Sequence, residues 1–306
     1  MEKVSIIINC LNGEEYLGQT LTCLKKQSFQ DFEIIFWDNG STDATEKIAK
    51  KFDKRLKYYR GEETIPLGAA RNRAIEKTTG EYIAFIDSDD LWDYDKLEKQ
   101  VNIMERFPDV GLVFSNYYDM IMPQKKLSIK ENNFEEKIMS FSQYIDMFFF
   151  CTSSTMIRRK AIEKMEIYCN ENYKYCQEAE FFLRIAYNWN TYYQGKPFVK
   201  RRVHSEMTTT KSQSHFSKEY AMMLECMRKM DRNFDNNYPK ARRKLQFYSD
   251  YFEAKDILPK GENKRVRQLM KPYLLYDFRG ICYYTASLFP RQMSKRLASM
   301  MRSNKA

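Results

Sequence analysis

Three carboxylates fall within four residues at Asp87-Ser88-Asp89-Asp90. Clustered carboxylate oxygens are hard ligands of the kind that Mg²⁺ and Mn²⁺ take, and a divalent ion there is placed to hold a diphosphate. The residues just before them, Tyr82 to Ile86, form a short apolar, aromatic and β-branched run that reads as a buried strand. A buried strand that releases acids at its C-terminal end delivers them to the lip where open α/β sheets bind ligands. The same acids would also suit a polar loop and a cap for a helix starting near Tyr94. On these residues alone both readings stand.

The elements that must position the acids favour the ligand site. Val4 to Ile8 is a continuous apolar strand, and Asn9 to Gly13 follows as a turn. Glu14 to Gln27 has helical spacing, with Tyr16, Leu17, Leu21 and Leu24 on one face. A second strand, Glu33 to Trp37, also runs into acids, Asp38-Asn39-Gly40-Ser41-Thr42-Asp43, where Ser41 or Thr42 can cap a helix over 44–52. Leu56 to Tyr59 reads as a third strand, and Gly68 to Thr78 as a helix carrying Arg71, Asn72 and Arg73 in its first turns. Strands alternating with helices over the first 110 or so residues predict a parallel, doubly wound α/β sheet. Two successive strands ending in acids are how a nucleotide site is built at the lip of such a sheet. No G-x-G-x-x-G follows the first strand and no G-x-x-x-x-G-K-[ST] loop is present, which argues against a dinucleotide cofactor and an NTPase.

Composition narrows the class further. A chain of 306 residues with 15% aromatics can bury one large core or two smaller ones. Seven cysteines, an odd number without a C-x-x-C pair, speak against a disulfide framework and a zinc site. His204 and His215 are the two histidines, which argues against a His-rich metal centre or a His-centred triad, and His215 receives no role. With no signal-peptide pattern and no apolar run of about 18 residues, the expected location is cytoplasmic, without a membrane span. The net charge of +10 is uneven: residues 261–306 hold ten Lys and Arg against two acids, leaving +2 for the rest of the chain.

At this point the residues resemble a known family. Val4-Ser5-Ile6-Ile7-Ile8 with Asn12, Asp38-Asn39-Gly40-Ser41-Thr42-Asp43, Gly68-Ala69-Ala70-Arg71-Asn72 and Asp87-Ser88-Asp89-Asp90 look like the ordered motifs of a family 2 glycosyltransferase, over roughly residues 1–205. The resemblance implies the GT-A fold, a doubly wound mixed sheet flanked by helices. It also implies a nucleotide-diphospho-sugar donor such as a UDP-sugar, an inverting mechanism, and Mn²⁺ or Mg²⁺. By that resemblance Asn12, Asp38, Arg71, Asp87 and Asp89 belong to the donor site. Asp38 reads the nucleobase, Arg71 helps hold the nucleotide, Asp87 lies by the ribose and Asp89 is the direct metal ligand.

Further along, Gly111 to Tyr118 reads as a strand, Pro123 to Glu136 as a polar excursion and Ser142 to Phe149 as a short helix. Cys151-Thr152-Ser153-Ser154-Thr155-Met156-Ile157-Arg158-Arg159 is similar to the family's small-residue acceptor-side strand and is expected to lead into another helix. In Cys176-Gln177-Glu178-Ala179-Glu180 the resemblance places Glu178 on the family's catalytic aspartate, as general base, with Glu180 next in line. Here the carboxylate is one methylene longer, and Gln177 replaces the preceding acid. An ordinary helix N-terminal acid favoured by the dipole is the plainer reading. The segment Arg201 to Thr208 looks like the family's closing segment, whose histidine, His204, completes the metal shell or contacts the diphosphate. Asn9-Cys10 stands where the family often has Pro-Thr, at the border of the base pocket.

The expected organisation is a catalytic domain over 1–215 and a basic, aromatic, helical region over 216–306, with Pro259-Lys260-Gly261 as a joint. Tyr273 to Phe289 interleaves apolar and aromatic residues with Arg and Lys. That pattern suits an anionic membrane surface, and equally a helical pack with its charges in water. The family resemblance, not the tail, implies as acceptor a hydroxyl of a glycan or lipid-linked glycan, as in bacterial surface-polysaccharide assembly. A nucleotidyltransferase would share the acid-ended strands but needs a Gly-rich basic loop after the first strand, which Asn9 to Glu15 lacks. A non-catalytic nucleic-acid-binding protein would explain the basic tail, but not acid clusters that repel phosphate; no nucleic acid is expected as a partner.

Overall fold

The computed structural model describes residues 2–129, 135–148, 151–204 and 214–303. They fall into two compact units, Met1–Ser205 and Glu206–Ala306.

Runs with no polar face become strands covered on both sides. In the first unit β1 (Val4–Cys10), β2 (Phe32–Asp38) and β4 (Tyr82–Phe85) are buried almost throughout and pair in parallel, with β3 (Leu56–Arg60) parallel on the edge. Leu17, Leu21 and Leu24 of α1 (Leu17–Lys25) share one apolar cluster with Ile6, Ile8, Ile34 and Phe36 of the sheet. Short α2 (Thr45–Ala49) and then α3 (Leu67–Glu76) complete the crossovers.

Beyond β4 the sheet becomes mixed. β9 (Met156–Arg158) lies antiparallel between β4 and β6 (Val110–Ile121). β10 (Asn190–Val203) runs parallel to β6, and two-residue β5 (Leu91–Trp92) pairs antiparallel with β10. The order is β3-β2-β1-β4-β9-β6-β10-β5, with β7 (Lys126–Ile129) on β6 and β8 (Lys137–Met139) on β10. The remaining helices of this unit are α4 (Lys96–Arg106), α5 (Phe141–Met147) and α6 (Gln177–Asn188).

These pairings position the site. Pairing Ala84 with Met156 brings the turn at Thr152–Ser154 beside the end of β4. Pairing Leu91 with Lys200 returns the chain at 201–204 to the Asp89–Asp90 corner.

Several expectations are corrected. The helix expected after β9 is only a single 3₁₀ turn, Arg159–Ala161. Ser41 and Thr42 do not cap α2, whose N-cap is Ala44, because the Ser41 hydroxyl accepts from the Asn12 amide instead. The acids of 87–90 do not cap α4, whose N-cap is Asp95. The long strand β10 was not foreseen, and β7 and β8 occupy parts of the polar excursion.

The second unit is helical: α7 (Ser214–Met230), α8 (Phe234–Asn237), α9 (Pro239–Ile257), α10 (Asn263–Met270), α11 (Phe278–Ala286) and α12 (Arg291–Ser303). Gly261, at φ 86°, takes the left-handed conformation that ends the turn Leu258–Lys260. Phe247, Tyr251, Leu258, Val266, Met270, Tyr273 and Tyr283 form its own core. Among the described residues no helix is long and apolar enough to cross a membrane.

Glu33 shows how the lower end of the first sheet is held. It is fully buried and accepts from the Ser5 and Thr79 hydroxyls, the Thr79 amide and Lys57 Nζ. Burial pushes its carboxyl up, but these bonds outweigh burial and hold it below the usual range. Stability from such a group is present above the unfolded-state pKa and lost as pH falls through the folded one. Glu33→Gln is expected to cost about 2 kcal/mol at neutral pH, with the deficit shrinking below about pH 4. Thermal denaturation of both proteins across that range measures it.

Candidate active site

The turns after β1 and β2 are laced together. Asn12, at φ 53°, donates its amide to Ser41 Oγ at 2.9 Å and accepts from the Thr42 amide at 2.8 Å. Gly13 N donates to Thr45 Oγ1 at 2.8 Å, and Glu14 accepts from Ala44 N at 2.9 Å. Asp38 is wholly covered, and its oxygens accept from Ser41 N at 2.7 Å, the Tyr58 hydroxyl at 2.6 Å and Arg60 Nη1 at 3.1 Å. Its carboxylate therefore shapes the turn at the strand end. Beside it, Asn9 Nδ2 and Trp37 Nε1, on register-paired positions of β1 and β2, are buried donors without a hydrogen-bond partner.

The acids after β4 converge, with oxygens of Asp87, Asp89 and Asp90 all within 4.8 Å of one another. Asp90 is 1% exposed. One of its oxygens accepts from Arg202 N at 3.0 Å and the other from Ser153 Oγ, which itself accepts from the Asp87 amide at 3.0 Å. Thr20 Oγ1 donates to the carbonyls of Ser88 and Asp90, each at 2.9 Å. The buried Arg202 guanidinium reaches the Asp89 carbonyl and Gln19 Oε1 and lies 4.7 Å from the Tyr16 ring centroid. His204 Nε2 stands 3.0 Å from Asp89 Oδ2, with its ring 5.5 Å from that of Tyr16.

Like charges this close raise each other's pKa. Burial, then Asp89 and Asp87, push Asp90 well above the carboxylate range. Asp87 keeps 47% of its side chain exposed and rises less, to about 6, from partial desolvation, with Arg71 opposing and Asp89 and Glu178 adding to the rise. A cation would relieve this crowding. With both Asp90 oxygens already bonded, the donors left are the Asp87 and Asp89 carboxylates and the His204 imidazole, a mainly hard set that fits Mg²⁺ or Mn²⁺.

Arg71 links this cluster to α6. Its side chain is 4% exposed; Nη1 forms an ion pair with Glu178 Oε1, without completing a hydrogen bond, and Nη2 is 3.6 Å from Asp87 Oδ1. Glu178 sits in the first turn of α6 with its side chain 14% exposed. Glu180 is buried and engages Arg184 Nε at 2.6 Å and Nη2 at 3.0 Å. Gln177 Oε1 is buried without a hydrogen-bond partner.

The fold thus gathers Arg71, Asp87, Asp89, Glu178 and His204, while Asn12 and Asp38 hold the turns at the neighbouring strand ends. Sequence reading missed Ser153 and Arg202, which anchor Asp90. Both lie in segments already singled out, but nothing local distinguishes Ser153 from Ser154 or Arg202 from Arg201. Arg201 in fact turns to Asp119, at 2.7 Å.

Residues 5–166 match the family model described as Glycosyl transferase family 2. The amylovoran biosynthesis glycosyltransferase AmsB of Erwinia amylovora is 27% identical over 198 residues, covering 59% of this chain and 62% of that protein. The UDP-Glc:alpha-D-GlcNAc-diphosphoundecaprenol beta-1,3-glucosyltransferase WfgD of Escherichia coli is 33% identical over 115 residues, covering 37% of this chain and 45% of that one. Among solved structures, S. aureus TarS 1-349 in complex with UDP-GlcNAc superposes with a TM-score of 0.69 at 15% identity, covering 99% of this chain and 92% of that one. The fold is the GT-A fold.

The anchoring of Asp90 can be tested by stability. Ser153→Ala leaves the Asp87 amide and a buried Asp90 oxygen without their shared partner, so a loss of about 1–3 kcal/mol in denaturant unfolding is expected.

Proposed function

The chain belongs to glycosyl transferase family 2, and on that premise we propose an inverting, metal-dependent transfer of a sugar from a UDP-sugar to a hydroxyl of a glycan or lipid-linked glycan. One observation carries the reading: Asp87, Asp89 and His204 meet at the C-terminal lip of the sheet, with the Arg71–Glu178 pair alongside.

Asp89 with His204 would hold Mn²⁺ or Mg²⁺, which when bound supplies positive charge to the diphosphate leaving group. Asp87 would lie by the ribose and Arg71 by the nucleotide. Asp38 and Asn12, which hold the turns after β1 and β2, would shape the base end of the site. The UDP-GlcNAc in the TarS structure supports a uridine donor.

Transfer is a single displacement. The acceptor oxygen bonds to the anomeric carbon while the bond from that carbon to the diphosphate oxygen breaks, and the hydroxyl proton passes to Glu178. Arg71 engages one Glu178 oxygen and leaves the other for that proton. Glu180 is committed to Arg184, which favours Glu178 of the two acids. Holding donor and acceptor in line supplies much of the rest.

AmsB, an amylovoran biosynthesis glycosyltransferase, and WfgD, a glucosyltransferase for an alpha-D-GlcNAc-diphosphoundecaprenol, support a cell-surface polysaccharide role with a lipid-linked acceptor. Such an acceptor would bring the enzyme to the cytoplasmic face of a membrane.

Asp89→Asn keeps shape and removes a ligand charge. UDP affinity with Mn²⁺, read by isothermal titration, should fall at least about tenfold; undiminished metal-dependent affinity would sink the assignment. Glu178→Gln should bind donor normally and lose transfer by about 10²–10⁴-fold. A drop in turnover of less than about tenfold, with binding intact, would place the base elsewhere.

A further inference from the structure

We propose that the segment from Leu275 to the end of α12 is a docking surface for an anionic bilayer, entered by the side chains of Leu275, Phe278, Ile281, Leu288, Phe289 and Met293. The proposal deepens the lipid-linked reading and rests on it for its biological purpose, but not for its physics.

The aromatic and apolar residues of this region divide into two sets. Tyr273, Tyr283 and Ala286 turn inward into the helical core, and Tyr273 donates to Asp250 at 2.6 Å. The outward set is unusual. Eight of the fifteen exposed large hydrophobics among the described residues lie between Leu275 and Met300; Leu275 is fully exposed and Phe278 is 76% exposed. On α11, Phe278 and Ile281 share the outer face while Gly280 and Tyr283 face in. On α12, Met293 and Met300, seven residues apart, point out while Ser294 and Ala298 are buried. A helix whose inward side is already packed normally shows polar residues to water. On α11 the outer side carries Phe278 and Ile281 instead, and on α12 Met293 and Met300 stand among exposed Arg291, Lys295 and Arg296; exposed apolar side chains interleaved with basic ones mark an interaction site.

Charge selects the occupant. Residues 261–306 carry ten Lys and Arg and two acids. One of the two, Asp277, is taken by Arg279, whose guanidinium also stacks on Phe247, Tyr248 and Tyr251 and so belongs to the core. Lys271, Lys295 and Arg296 remain exposed. A second copy would bring the same positive charge and be repelled. An anionic lipid surface complements both features, taking apolar side chains at the acyl boundary and basic ones at the headgroups. With no spanning helix among the described residues, the association is peripheral.

Truncation at 261 would strip Phe247, Tyr251 and Leu258 of their core partners, so the test uses the full chain with exposed positions changed. Sedimentation with phosphatidylglycerol–phosphatidylethanolamine vesicles should show binding that phosphatidylcholine vesicles do not support and that high salt releases. Phe278→Ser with Ile281→Ser should lower partitioning at least about tenfold, and Lys295→Ala or Arg296→Ala about fivefold each. Thermal melting and hydrolysis of UDP-sugar without vesicles should stay unchanged. Should the double variant melt early, Leu275→Ser, at a fully exposed position, replaces it. Wild-type protein that stays in the supernatant with anionic vesicles overturns the proposal. So does a concentration-dependent dimer that Phe278→Ser dissolves. Loss of donor hydrolysis alongside intact vesicle binding would instead strike the catalytic reading and leave this one standing.

Discussion

Asp90 is a carboxylate with almost no contact with water, and both of its oxygens are answered by groups far away in the chain, the Ser153 hydroxyl and the Arg202 amide. Leaving such a group unpaired costs several kcal/mol, so the corner forms only when three segments arrive together. The antiparallel β4–β9 pairing delivers Ser153, and the β5–β10 pairing delivers Arg202. Once Asp90 is satisfied internally, Asp87 and Asp89 are left facing outward with oxygens to offer. The same return of β10 carries His204 to Asp89. A structural acid thus organises the chemical ones.

The site balances charge in two separate pairs. Arg71 sits between Asp87 and Glu178, and Arg202 braces the Asp89 carbonyl from beneath. Neither arginine neutralises the whole cluster, which is why burial and mutual repulsion still push Asp87 and Asp90 up. This residual strain favours a cation or a positively charged partner over any anion approaching unaccompanied. It also explains how a protein with a net charge of +10 presents an acidic lip: the positive excess is carried by residues 261–306.

In the helical unit the governing constraint is different. Its core is built from packed rings, with Phe247 stacked on Tyr251 and edge-on to Tyr273 and Tyr276 at centroid separations of 5.0 to 5.7 Å, and Arg279 over several of the same faces. Aromatic rings bury much area on few rotatable bonds, so a small unit can be ordered by them. With the inward residues packed, Leu275, Phe278, Ile281 and Leu288 stay exposed on the outer side.

How much of this was legible in the sequence follows from the range of the interactions. Strand runs such as Val4 to Ile8 and Tyr82 to Ile86 are local patterns, and acids that follow them directly must emerge at the strand ends, so the sheet's parallel half and the place of Asp38, Asp87 and Asp89 could be read from neighbours alone. β10 could not, because its mixture of tyrosines, basic residues and Pro197 lacks clean alternation and its pairing with β6 is interrupted by register shifts. Sequence likewise offered both Glu178 and Glu180. Residues two apart on a helix face different ways, and packing put one against Arg71 and the other against Arg184. The sequence by itself determined the chemistry at hand: which acids, in which order, at the ends of which strands. Only the tertiary structure decided which of them are spent on holding the fold and which remain free, because that depends on donors 63 and 112 residues away in the chain.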